Sequence, residues 1–87
     1  MSLPLKTVSR TLETDPVDGW VYRIVEDEEG GSAIFRVPEH SRLWGHGVLK
    51  QMYNPITNTF IPTITASIAK VASVAAAAAI IANFMCS

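Results

Sequence analysis

The side chains able to do chemistry are few and scattered. His40 and His46 are the only histidines, standing on either side of Trp44-Gly45. A zinc site draws on three or four ligands, and the single cysteine, Cys86, lies far along the chain in an apolar run. No metal centre is expected. The acidic run Glu26 to Glu29 lacks the Asp/Asn and Gly spacing of a calcium loop and reads as a solvated turn. Gly30-Gly31 is not followed by Lys-Ser/Thr, and Gly45-His46-Gly47 lacks the context of a dinucleotide fingerprint. A chain of 87 residues is also too short to build a deep pocket around a Ser/His/Asp or Cys/His set. No enzyme activity, cofactor or small-molecule substrate is expected.

The elements that would position any site differ sharply in charge. Residues 1 to 50 carry fourteen of the fifteen charged side chains, and residues 51 to 87 carry only Lys70. A solvated surface normally shows charge in every stretch, so the second half should lie in lipid or against protein. The net charge of −1 gives no general attraction to nucleic acid. Met1 to Val8 lacks the apolar core of a secretory signal.

Residues 1–19 read as an extended arm, with turn signals at Thr14-Asp15-Pro16 and Asp18-Gly19. Residues 20–38 read as a β-hairpin, two runs rich in β-branched and aromatic residues around Glu26 to Gly31. A two-residue turn pairs Ile24 with Val37; a four-residue loop pairs Ile24 with Phe35 and sets Arg23 opposite Arg36. In either register Trp20, Tyr22, Ile24, Phe35 and Val37 share one face. An isolated hairpin is marginal in water, so this face is expected to dock on a partner.

Residues 39–62 read as an irregular, apolar connector interrupted by Pro55, Pro62, Gly45 and Gly47. Trp44, Lys50, Tyr53 and Phe60 resemble an interfacial belt at a membrane surface, and completion of a small core is the competing reading. Residues 63–87 read as one hydrophobic helix, started by Pro62 with Thr63 or Thr65 as cap. The run from Ile64 to Cys86 would span roughly 34 Å, enough for one membrane crossing. Ile68, Val71, Ala75, Ala78 and Ala82 form a narrow seam for another helix. The nine alanines of this run and Lys70 weaken insertion. Arg42, Lys50 and Lys70 precede or open the run, and no basic residue follows, which would place the N-terminal half on the cytoplasmic side or the equivalent side of an organelle or virion membrane.

The sequence therefore predicts a small α+β chain that is not an independent globular fold, tail-anchored by a C-terminal membrane helix. The function expected is that of a non-catalytic accessory subunit of a membrane complex or membrane-containing virion, with protein and lipid as partners. A small membrane-active protein, holin-like or lytic, is one alternative. A capsid, tail or filament subunit with its helix buried in protein is the other.

Overall fold

The computed structural model describes residues 4–8, 11–40, 50–62 and 70–85. Within them six strands and one helix follow in order: β1 (Lys6–Val8), β2 (Thr11–Glu13), β3 (Trp20–Glu26), β4 (Ser32–Pro38), β5 (Gln51–Asn54), β6 (Thr59–Pro62) and α1 (Val74–Met85). The strands form one antiparallel sheet in the order β1-β2-β3-β4-β5-β6. The chain is thus mostly β, and the expectation of a single hairpin between an arm and an irregular connector is overturned. Residues 6–8 and 11–13 of the expected arm are strands, and residues 51–62 of the expected connector are a further hairpin with four-residue strands.

The turns are those that their residues favour. Asp18 and Gly19 both have positive φ, 52° and 83°. Val17 and Trp20 exchange both backbone bonds across them, at 2.8 and 2.9 Å, as in the two-residue Asp-Gly hairpin turn. Between β3 and β4 the Asp27 N–H donates to the Gly31 carbonyl and the Gly30 N–H to the Asp27 carbonyl. The loop is therefore Glu28 to Gly30, with Gly30 at φ 89°. Three loop residues, where two or four were expected, shift the register by one residue from the four-residue reading and by three from the two-residue reading, an odd number in either case, and turn β4 over. Ile24 pairs with Ile34, Tyr22 with Arg36 and Arg23 with Phe35. The opposition of Arg23 and Arg36 that a four-residue loop would bring does not occur.

Tyr22, Ile24, Ile34 and Tyr53 on one sheet face meet Ala77 and Ile81 of α1 in the core. Leu5, Leu12, Trp20 and Phe60 from the same face pack around them. Trp20, Tyr22 and Ile24, the β3 part of the face expected to await a partner, are covered by the chain's own helix. Thr14 is buried where β2 ends; its Oγ1 accepts the Tyr22 N–H and its own N–H donates to the Tyr22 carbonyl. This keeps β3 hydrogen-bonded past the last residue of β2.

The C-terminal helix is shorter than expected. Residues 70–73 are not helical, and α1 has 12 residues, a length of about 18 Å. Among the described residues no helix is long and apolar enough to cross a membrane. This overturns the tail-anchored, single-pass transmembrane reading. Tertiary contacts interrupt the apolar run. Val71 exchanges two backbone bonds with Ser32, at 3.0 and 2.8 Å, and Lys70 donates to the Asp27 carboxylate. Lys70 therefore fastens the approach to α1 to the β3–β4 turn instead of snorkelling to an interface. Ser73 caps the helix: its Oγ accepts the Ala76 N–H at 3.1 Å and its carbonyl the Ala77 N–H at 3.0 Å. Thr63 and Thr65, the expected caps, lie outside the described residues.

Candidate functional site: an uncharged hairpin tip and cleft

The β5–β6 hairpin ends in Pro55, Ile56, Thr57 and Asn58, and Ile56 is 91% exposed, the exposed large hydrophobic side chain of the described residues. Its position is fixed by hydrogen bonds. The Ile56 N–H donates to Asn54 Oδ1 at 2.9 Å, and the Asn58 N–H to the Asn54 carbonyl at 2.8 Å. Asn58 takes φ 56°, a left-handed conformation that asparagine tolerates, and its Oδ1 accepts the Tyr53 hydroxyl at 2.7 Å. The Thr57 and Thr59 hydroxyls pair at 2.7 Å.

Behind the tip, Asn58, Ile80, Asn83 and Phe84 line an open cleft of about 270 Å³. Its Phe84 belongs to a ring cluster centred on Phe60. Phe60 meets Phe84 and Tyr22 edge-on, at 5.1 and 5.7 Å between centroids, and Tyr53 at a tilt of 59° and 5.6 Å. Edge-to-face geometry matches the positive ring edge to the negative ring face. Phe60 thereby ties β6 to both the sheet and α1, which holds the cleft wall against the hairpin.

A second polar feature borders this cluster. The Arg36 guanidinium lies 4.2 Å from the Trp20 ring centroid and 4.3 Å from that of Phe60, and its Nε donates to Gln51 Oε1 at 2.7 Å. A cation held between two π faces gains about 0.5–2 kcal/mol per contact. Here the stack closes one end of the core over apolar rings.

The opposite sheet face carries different chemistry. Arg23 Nε donates to Thr11 Oγ1 at 2.9 Å, and Lys50 Nζ stands 4.3 Å over the Phe35 ring. Burial, and secondarily the charge of Arg23, lower the Lys50 ammonium below the ordinary lysine value. Glycine-ended Asp27-Gly31 also does intramolecular work. Asp27 Oδ1 accepts the Glu29 and Gly31 N–H groups while Oδ2 accepts Lys70. The bond from Lys70, supported by those backbone donors, holds the Asp27 carboxyl below its ordinary value.

The residues singled out in the sequence are redistributed by this fold. Trp20, Tyr22 and Ile24 face α1, whereas Phe35 and Val37 stand on the other face because of the odd-numbered register shift. The five do not form one docking face. Of the expected interfacial belt, Tyr53 and Phe60 join the core cluster, Lys50 lies over Phe35 on the opposite face, and Trp44 lies outside the described residues. Of the expected helix seam, Ile68 lies outside the described residues, and Val71 pairs with Ser32. Ala78 packs on the core, Ala82 is half-buried and Ala75 is exposed. His40 is exposed, while His46 and Cys86 lie outside the described residues. Among the described residues no three His, Cys, Asp or Glu side chains cluster as a metal site would require. Ile56 and Asn58 were not singled out. The available signal was an isoleucine inside the turn sequence Asn54-Pro55-Ile56-Thr57-Asn58, where polar side chains prevail.

The architecture so defined is an antiparallel six-stranded meander closed on one face by a short helix. Compared with protein-family models, curated proteins and solved structures, the chain matches none of them.

Proposed function

We propose that the chain is a small non-catalytic structural subunit of a larger protein assembly, docking on its neighbours through the β5–β6 tip and the adjoining flank of α1. The observation that carries this reading is Ile56, 91% exposed on a turn whose backbone is held by hydrogen bonds. A rigid apolar knob loses little conformational freedom on binding and makes an efficient contact with a complementary pocket. The surrounding surface agrees with it. Residues 51–62 and 74–85 contain no charged side chain, which is the composition of a surface that meets protein. Three clefts lined by described residues, about 270, 150 and 90 Å³, fall below the usual size of ligand pockets.

Of the two alternatives to a membrane-anchored subunit, the capsid, tail or filament reading is favoured. It needs only protein contacts, whereas a holin-like action needs a helix of about 20 apolar residues, and α1 has 12. The test is the size of the native protein, measured by size-exclusion chromatography with light scattering on material from its natural source. Elution in a complex far larger than the 9.5 kDa chain is expected. Elution at the mass of the single chain would contradict the proposal.

A further inference from the structure

Resting on that reading, we infer that one occupant of this surface is a second copy of the chain, related by a two-fold axis. Each copy seats its Ile56 in the Asn58, Ile80, Asn83 and Phe84 cleft of the other. In a two-fold contact the same patch must supply both knob and socket. Ile56 meets this condition, because it lies two residues from the cleft wall Asn58, at most about 7 Å along the chain.

Three properties of the patch favour a copy of itself over an unlike partner. First, side chains near a two-fold axis meet their own duplicates, so any charge there is repelled. The β5–β6 hairpin and α1 have none. Secondly, the polar groups of the cleft are carboxamides, Asn58 and Asn83. A carboxamide carries donor and acceptor together and is complementary to another carboxamide. Thirdly, the cleft of about 270 Å³ is open, lined by the apolar side chains of Ile80 and Phe84, and roomy enough for an isoleucine side chain. The rest of the chain supplies the contrast. Residues 1 to 50 hold fourteen of the fifteen charges and suit solvent or unlike partners.

The test is sedimentation velocity of the full chain from low micromolar to near-millimolar concentration, with Ile56→Asp, Asn83→Lys and an equimolar mixture of the two. Both substitutions are at exposed positions, so the variants keep the fold, verified by circular dichroism. The wild type is expected to dimerise, and each variant alone to dissociate at least about tenfold more readily, the effect of losing a central contact. The mixture is expected to dimerise again. It retains one intact knob and cleft and sets the introduced carboxylate opposite the introduced amine. A wild type that stays monomeric throughout overturns the inference, as does a dimer indifferent to both substitutions or a mixture no better than its components. A chain that is monomeric alone yet found in a large native complex would sink the two-fold contact and leave the subunit reading standing.

Discussion

The β3–β4 and β5–β6 hairpins belong to one sheet and end in opposite ways. The first ends in Asp27-Glu28-Glu29-Gly30, and its charge is used within the chain: Asp27 holds two backbone N–H groups and Lys70, fixing the approach to α1. The second ends in Pro55-Ile56-Thr57-Asn58, and its hydrogen bonds leave an isoleucine almost wholly in solvent. The first turn is solvated and braces the chain internally; the second presents an apolar side chain, the feature on which the proposed docking rests. Charge at the tip is what separates the two.

The largest effect that sharpens this comparison comes from the core that both hairpins share. Ile81 is completely buried between helix and sheet, and Ile81→Ala should destabilise the fold by about 2–5 kcal/mol in urea titration. Ile56→Ala, at a comparable apolar side chain, should change folding stability by less than about 0.5 kcal/mol. A large loss from Ile56→Ala would mean that the tip supports the fold, and the proposed division between the hairpins would fail.

A smaller effect separates the two turns themselves. Asn58→Ala removes the acceptor of the Tyr53 hydroxyl and places alanine at φ 56°, a cost of about 1–3 kcal/mol. Gly30→Ala meets no atom that its Cβ would strike, and bears only the strain of φ 89°, about 1–2 kcal/mol. Denaturant midpoints of the two variants should rank them in that order.

The smallest expected effect depends on pH. Asp27 has a depressed carboxyl pKa in the fold. Its contribution is therefore complete above the ordinary aspartate value of 3.8 and fades as pH falls through the lower, folded-state value. Asp27→Asn should lower the melting temperature slightly at neutral pH. The difference from the wild type should disappear in strong acid and shrink with salt, because the pair is exposed. Equal melting curves at neutral pH would show that the clamp between Lys70 and Asp27 does not hold the approach to α1.

What could be read in the sequence followed local chemistry. Trp20 to Glu26 and Ser32 to Pro38 announced strands by their β-branched and aromatic residues, and Asp18-Gly19 announced its turn. What could not be read depended on counting and on distant contacts. One residue more or fewer in the loop after Asp27 reverses every side chain of β4, and composition does not set that number. The short strands β1 and β2 offer too few residues for alternation to register. Gln51 to Asn54 and Thr59 to Pro62 were hidden among prolines that here sit at the turn and at the end of an outer strand. The run from Ile64 to Cys86 held no helix breaker, yet the Ser32–Val71 bridge and the Lys70–Asp27 bond override helix propensity at residues 70–73. The charge gap after Lys50 was visible from the start. Its meaning changed once α1 proved too short to cross a bilayer.

The contrast between the two hairpins is tested most directly by hydrogen–deuterium exchange of the native assembly against the dissociated chain. Amides of Ile56 to Asn58 and of Ile80 to Phe84 should exchange more slowly in the assembly, while those of Glu28 to Gly31 exchange at the same rate in both. Protection of Glu28 to Gly31 with none at Ile56 to Asn58 would contradict the assignment of the uncharged tip as the docking surface.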